Sequence, residues 1–218
     1  MSDTDSANLR LQSIAARVIE RLEEEKAAFR ERVKKNPINP FTLKPLEPDE
    51  VQLEVPAGAS DYQLRKLSKK LGVKIPDDLK MWLKLTNGPS GFFGIDTLKD
   101  FDNILWQVKE YYPSWPSRGL IPVAKDECGC TYAVSLRFRS TLGSAIVFMD
   151  LAGDGGEPQY VVASNMLSFV EISLFEDEIP PRSTFQSCGG WSAAKKTYVL
   201  SKDPAIFTVN GIPCLWET

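Results

Sequence analysis

Residues 75–88, IPDDLKMWLKLTNG, carry the strongest structural signal in this chain, because they hold a whole helix together with its start and its stop. Pro76 suits the first turn, where a helix does not need the missing N–H, and the two aspartates after it lie at the positive end of the helix dipole. Asn87-Gly88 suits the stop, because both residues tolerate the left-handed backbone that ends a helix. The apolar face consists of Leu79, Trp82, Leu83 and Leu85. These spacings predict a short amphipathic helix packed on a core.

Two further helices are predicted on either side of this one. Ser60 and Gln63 stand three residues apart in the pattern of a capping box, which predicts a helix that runs to Gly72. Another helix begins at Thr97 and must end before Pro113, because a residue that precedes proline disfavours helical geometry.

A charged segment over residues 6–35 repeats apolar side chains at the helical period. It predicts one long amphipathic helix, whose apolar side must dock either on its own domain or on a second chain. We therefore expect a monomer, or a homodimer formed through this N-terminal helix.

Downstream of Pro116 the hydrophobic period shortens from 3.6 to about two, which is typical of strands. The connections are short and rich in turn residues, which favours antiparallel hairpins over parallel crossovers. Ser164 is expected to cap a closing helix. The fold class is therefore α+β, with a twisted, mainly antiparallel sheet and packed helices. The expected strands span residues 120–124, 131–136, 145–149 and 159–163.

Prolines and shifts in composition divide the chain into four parts. In the second part, the alternating run over residues 51–55 is a candidate edge strand. In the last part, residues 205–216 predict a β-hairpin, since Asn210-Gly211 favours a type I′ turn. The parts are an amphipathic helical arm (1–36), an extended linker (37–59), a core domain (60–179) and a C-terminal extension (180–218).

The composition excludes most enzyme classes. The 218 residues are 43% hydrophobic and 25% charged, as in an ordinary globular protein, and they include no histidine. Catalytic triads, Cys-His dyads and histidine zinc sites cannot be built from these residues. We expect no enzyme activity and no cofactor. The alternative is an enzyme that uses carboxylates or the Cys188 thiol.

No metal site is expected either. Asp150, Asp154 and Glu157 resemble part of a Ca²⁺ loop, but Ala152 stands where a second ligand should be, which favours a plain turn. The cysteines match no standard zinc spacing, and without an export signal we expect them to be isolated reduced thiols. These cysteines are Cys128, Cys130, Cys188 and Cys214.

We expect a cytoplasmic protein that binds neither membranes nor nucleic acid. The polar start, residues 1–5, is no signal peptide, and no apolar run approaches the roughly 20 residues of a spanning helix. A net charge of -3 argues against nucleic-acid binding through a basic face.

The order of these elements resembles the SUKH superfamily, over roughly residues 60–176. The superfamily includes a fungal cell-wall-assembly regulator and many bacterial immunity proteins of polymorphic toxin systems. The resemblance implies an α+β binding module without catalysis: an immunity protein that neutralises a cognate toxin or, alternatively, a regulatory scaffold. The motifs that carry it lie at residues 75–79, 82–83, 86–88, 119–124, 126–129, 132–134, 146–150 and 163–164.

Acidic charge is concentrated in one segment. Between Arg139 and Arg182 there are seven Asp and Glu residues and neither Lys nor Arg. An acidic face suits an inhibitor of a basic, nucleic-acid-cutting toxin, whereas the alternative is that the acids only aid solubility. The nearby aromatic residues are either interface anchors or ordinary core. The residues that we select for partner binding are Asp126, Glu127, Asp150, Asp154, Glu157, Glu176, Tyr112 and Trp115.

Overall fold

The computed structural model describes residues 3–35, 57–85, 95–96, 101–126, 130–150, 153–174 and 193–214. The chain forms two compact units, Met1–Val55 and Pro56–Thr218. The first unit contains helix α1, Asp3–Lys35, which confirms the helix expected over residues 6–35. The linker and its candidate edge strand at residues 51–55 lie outside the described residues.

Helix α2, Asp61–Leu71, has the start and the stop that its sequence predicts. The backbone N–H of Gln63 donates to Ser60 Oγ at 3.3 Å, and the backbone N–H of Ser60 donates to Gln63 Oε1 at 2.8 Å. Gly72 ends the helix with φ +68, a left-handed conformation in which a side chain would be strained. The capping box is therefore confirmed.

Helix α3, Asp77–Leu85, starts directly after Pro76 and buries Leu79, Trp82 and Leu83. The stop predicted at residues 87–88 lies outside the described residues. Helix α4, Phe101–Glu110, ends before Pro113 as expected, and the start predicted at Thr97 lies outside the described residues.

The strands form one antiparallel sheet in the order β1-β2-β3-β4-β5 among the described residues. Neighbours in the sequence are neighbours in the sheet, so the predicted meander is confirmed. The two-residue strand β1 was not predicted. The strands are β1 (Ile95–Asp96), β2 (Leu120–Asp126), β3 (Thr131–Arg139), β4 (Ser144–Met149) and β5 (Tyr160–Ala163).

The core lies around β3 and β4. Every residue of β4 is buried, because helix α5, Met166–Leu174, packs on β4 and β5 while α4 packs on β2. Tyr132 on β3 stands beside Phe148 on β4, and its ring also approaches Phe169 of α5, with centroids 5.4 Å apart. The closing helix thus covers the sheet, as the α+β prediction requires.

Two local predictions for the second half of the chain are wrong. Asn165, and not Ser164, caps α5, because the Ser168 N–H donates to Asn165 Oδ1 at 3.0 Å. The hairpin predicted over residues 205–216 does not form in its described part, because Pro204–Thr208 is a 3₁₀ helix where the first strand was expected. An unpredicted helix α6, Ala193–Lys202, precedes it.

Tertiary contacts explain why the hairpin does not form. Ile206 is fully buried, and the Val161 N–H on β5 donates to the Pro213 carbonyl at 2.9 Å. The segment therefore pairs with the sheet edge through an isolated parallel bridge between Val161 and Cys214 instead of pairing with itself. Gly211 does adopt a positive φ of +85, as the turn predicted at Asn210-Gly211 requires, although the residues before it form a 3₁₀ helix and not a strand.

Candidate protein-interaction site

The turn between β4 and β5 is held by the loop that follows α4. The Ser114 N–H donates to the Asp154 carboxylate at 2.8 Å, and the Ser114 hydroxyl donates to the Asp154 carbonyl at 3.1 Å. Trp115 Nε1–H also donates to that carbonyl at 3.1 Å, and the Arg118 guanidinium adds a further bond. Asp154 is therefore occupied in fixing the turn, and its carboxylate already has a partner inside the protein.

Arg118 ties the same turn to Glu157. Its guanidinium donates to the Gly156 carbonyl and to Glu157 Oε1, the latter at 2.8 Å, while Arg137 lies 3.8 Å from the other carboxylate oxygen. The Glu157 side chain stays 66% exposed, so the pair is accessible to a partner. An exposed ion pair of this kind stabilises a fold by about 0–1 kcal/mol, so exchanging it for an intermolecular pair costs little.

Of the other acidic candidates, only Asp150 has a described side chain. Asp150 follows β4, is exposed, and accepts a bond from the Cys130 thiol at 3.4 Å. Asp126 ends β2 opposite Ile95, and nothing is described of its side chain. Glu127 and Glu176 lie outside the described residues. The structure thus brings Asp150, Asp154 and Glu157 together on one connection, which we call the acidic edge.

Basic residues from other parts of the chain reduce the charge of the acidic segment. Besides Arg118 and Arg137 beside Glu157, Lys202 of α6 lies 4.0 Å from Glu171, which is only 9% exposed. The segregation of charge along the sequence therefore does not translate into an equally segregated surface within the described residues.

Tyr112 and Trp115 belong to the core, which corrects their selection as interface residues. Trp115 is fully buried and stacks on Tyr112, with ring centroids 3.9 Å apart and planes at 19°. The Tyr112 hydroxyl shares a 2.9 Å hydrogen bond with Thr131 Oγ1. Trp115 has no exposed area and Tyr112 only 6%, so neither ring offers a partner a contact surface, and the alternative interpretation as ordinary core applies to both residues.

The exposed rings of the same cluster are Trp106 and Tyr111, each 50% exposed. They meet edge to face with centroids 5.2 Å apart, and Lys125 Nζ lies 5.1 Å from the Tyr111 ring. Helical periodicity could have predicted the exposure of Trp106, because this residue stands two positions, or about 200°, from the buried Ile104 in α4. The sequence reasoning named the cluster but selected its two buried rings.

A partly buried carboxylate links α3 to the start of α5. The Met166 N–H donates to Asp78 Oδ2 at 2.9 Å, and a Cβ at Gly143 would lie 3.1 Å from the same oxygen. Burial raises the pKa of the Asp78 carboxyl above its ordinary value of 3.8, although backbone N–H groups, first that of Met166, act in the opposite direction. One of the two aspartates in the opening motif is therefore a structural residue.

Replacing Asp78 by Asn is expected to remove one contribution that lowers stability as the pH rises. The raised pKa means that Asp78 holds its proton more tightly in the folded state than in the unfolded state. Wild-type Asp78 therefore costs no folding stability below about pH 3.8, and the cost grows as the pH rises through the folded-state pKa. The Asn variant should therefore gain stability relative to wild type across that window. Urea denaturation of both proteins between about pH 3.5 and about pH 7 measures the difference.

Comparing the Asp78→Asn variant with wild type separates the contribution of Asp78 to the pH dependence of stability from the contributions of other carboxyls. Ion pairs with Lys84 and Lys80 lower the pKa values of Asp61 and Asp77, so their contributions run in the opposite direction in both proteins. A stability difference between Asp78→Asn and wild type that does not change with pH would contradict the assignment.

The described residues hold neither a metal cluster nor a membrane span. No group of three or more Cys, Asp or Glu side chains among them is placed to bind a metal ion. Cys130 and Cys214 are buried and form no disulfide within the described residues, while Cys128 and Cys188 are not described. Of the helices in the described ranges, none is both long and apolar enough to cross a membrane.

The described residues form an α+β domain, in which helices pack on a short antiparallel meander and a loop holds an exposed acidic turn. These residues contain no evident catalytic constellation. Residues 58–172 match the model of the SMI1 / KNR4 family (SUKH-1), which is just over half of the 218 residues. The chain belongs to this family, and the resemblance to the SUKH superfamily is confirmed. A search of curated proteins found no match. The family suggests a function of the immunity or cell-wall-regulator type, exercised through protein contacts.

Proposed function

We propose that this protein is a non-catalytic immunity protein, which neutralises a cognate toxin in the cytoplasm by covering the toxin's active surface. Family membership supports the general class, and the acidic edge supports the kind of partner. Asp150 and Glu157 are exposed carboxylates on one connection, and such groups suit a basic, nucleic-acid-cutting enzyme, because they can occupy the positions of phosphates.

The observation that carries the proposal is the set of bonds that hold the acidic edge in place. Donors from Ser114, Trp115 and Arg118 converge on the Asp154 carbonyl, so the turn is held in one conformation before any partner arrives. A pre-organised turn loses little conformational entropy on binding, which favours tight inhibition. In this arrangement Asp154 positions the turn, and Asp150 and Glu157 make the contacts.

Neutralising the acidic edge is expected to weaken toxin binding. The variant Asp150→Asn with Glu157→Gln should raise the dissociation constant at least about tenfold and reduce its salt dependence, since two intermolecular charge pairs are lost. Glu110→Gln is the matched control: this exposed glutamate also pairs with a cation, Lys109 at 2.7 Å, but lies on α4 away from the turn. Titration calorimetry with the purified partner, at low and high salt, measures both effects.

The partner is first obtained by tagged capture from the native host and then tested for toxicity. A captured protein that arrests growth when expressed alone, and ceases to do so when co-expressed with the wild-type chain, supports immunity. A captured protein that is harmless by itself and keeps its activity when bound contradicts it. Equal affinity of the double variant and the Glu110→Gln control would contradict the role of the acidic edge.

A regulatory scaffold is the second candidate, and α1 is the feature that favours it. This helix of 33 residues lies outside the family match at residues 58–172 and belongs to the separate compact unit Met1–Val55. A scaffold would use such a helix to recruit a second protein while the family domain holds the first. In the capture experiment, several partners bound without salt dependence would favour this candidate.

A further inference from the structure

A basic groove runs between α2 and α3 in the Pro56–Thr218 unit. It is an open depression of about 470 Å³ on the surface. Leu64 and Met81 supply apolar lining and Ser68 a hydroxyl, so the groove offers contacts beyond charge. Its charged lining residues are Asp61, Arg65, Lys74, Asp77, Lys80 and Lys84.

The helices that form this groove are strongly basic in a protein of net charge -3. Residues 61–85 contain seven Lys and Arg residues and three Asp residues. Of these acids, Asp78 accepts a bond from Met166 of α5, so two face the groove. Those two are already paired, Asp61 with Lys84 at 2.6 Å and Asp77 with Lys80 at 2.7 Å. Arg65 and Lys74 add positive charge that the groove's own carboxylates do not balance.

Local helix energetics offset this concentration of cations only in part. On α2, Arg65 and Lys69 stand four residues apart, and like charges at this spacing destabilise a helix. The helix dipole compensates for Lys69, which lies in the last turn, and Asp61 attracts Arg65 from four residues earlier. A negatively charged partner would relieve the repulsion that is left between Arg65 and Lys69.

We infer that this groove binds an acidic segment of a partner protein, in which carboxylates flank an apolar side chain. The carboxylates would pair with Arg65 and Lys74, and Arg65 can hold one in bidentate geometry. The apolar side chain would rest mainly on Met81, because Leu64 is only 4% exposed and because a methionine adapts its shape to a ligand.

A peptide fits these observations better than a nucleic acid does. Asp61 and Asp77 lie in the groove lining and would repel a continuous phosphate backbone, whereas a peptide places its charges singly. The inference goes beyond the proposed function, because it concerns other residues and a partner of the opposite charge from the one expected at the acidic edge.

The test uses the full chain and a fluorescein-labelled peptide of twelve residues that alternates Glu or Asp with Leu. Fluorescence anisotropy should show saturable binding that weakens as salt is raised, because charge pairs carry much of the affinity. The variant Arg65→Gln with Lys74→Gln should weaken binding at least about tenfold. The matched control, Lys34→Gln with Lys109→Gln, removes two exposed lysines outside the groove and should change affinity by less than about twofold.

Two further arms make each outcome decisive. Met81→Gln should weaken binding of the peptide without altering the salt dependence of that binding. This result would distinguish binding in the groove from a general attraction between opposite charges. A single-stranded DNA of equal charge that binds as tightly as the peptide would overturn the inference, and so would equal losses in the groove and control variants or no peptide binding at all. Asp150→Asn with Glu157→Gln should leave peptide binding unchanged, so failure of the acidic-edge proposal is distinguishable from failure of this one.

Discussion

Replacing Trp115 by Ala is expected to lower the free energy of unfolding by about 3–5 kcal/mol, the usual cost of removing a fully buried large aromatic ring. The indole is entirely inaccessible, stacks on Tyr112 at 3.9 Å, and donates from Nε1 to the Asp154 carbonyl at 3.1 Å. The substitution therefore opens a cavity and removes one of the bonds that hold the acidic edge. Urea denaturation followed by far-ultraviolet circular dichroism measures the loss.

Two companion variants separate the contributions of the indole. Trp115→Phe keeps most of the ring but loses the N–H, so it should cost less than the Ala variant and still loosen the turn at Asp154. Trp106→Ala removes the same side chain from a half-exposed position on α4 and should cost less than about 1 kcal/mol. Equal losses for Trp106→Ala and Trp115→Ala would show that the assignment of Trp115 to the core is wrong.

Replacing Asp203 by Ala is expected to destabilise the fold by about 2–5 kcal/mol, because it leaves buried donors without an acceptor. Asp203 is fully buried, and its carboxylate accepts the Ser164 N–H at 2.6 Å and the Ser164 hydroxyl at 2.5 Å. These bonds join the end of β5 to the chain after α6. Their loss should release the C-terminal turn from the sheet, which hydrogen exchange at residues 204–214 would detect.

A double-mutant cycle identifies the partner in this interaction. Ser164→Ala removes one donor, and the double variant should cost clearly less than the sum of the single losses, because the two residues share a bond. Asp102→Ala, an exposed aspartate in the first turn of α4, is the control for removing an acidic residue and should cost less than about 1 kcal/mol. Additive losses for Asp203→Ala and Ser164→Ala would contradict the proposed network.

The sequence predicted most elements because their signals are local. The capping box at Ser60 and Gln63, the left-handed Gly72 and the proline before α3 each act within a few residues, and the structure contains all three. The strands β2 to β5 followed from alternation and short turns. The wrong predictions arose where a distant partner overrides local preference, as when Pro204–Thr208 packs into the core although Asn210-Gly211 favours a hairpin.

The candidate site shows the same limit more sharply. Sequence reasoning could locate a run of acids and a cluster of rings, but it could not tell which rings point inward or which acids are already bound. Asp154 is held by Ser114, forty residues earlier, and no local pattern announces such a contact. Trp106 could have been separated from Trp115 by helical periodicity, yet the burial of Trp115 depends on the sheet beneath it.

Sequence alone therefore determined the α+β class, the order of the meander, the family resemblance and the absence of histidine chemistry, because each depends on residue type and short spacing. Tertiary structure alone decided that Arg118 and Arg137 stand against Glu157, that Tyr112 and Trp115 are core, and that Arg65 of α2 lines one groove with Lys80 and Lys84 of α3. The physical reason is range: propensity, capping and periodicity act over a few residues, whereas burial and charge pairing depend on which distant segments the fold brings into contact.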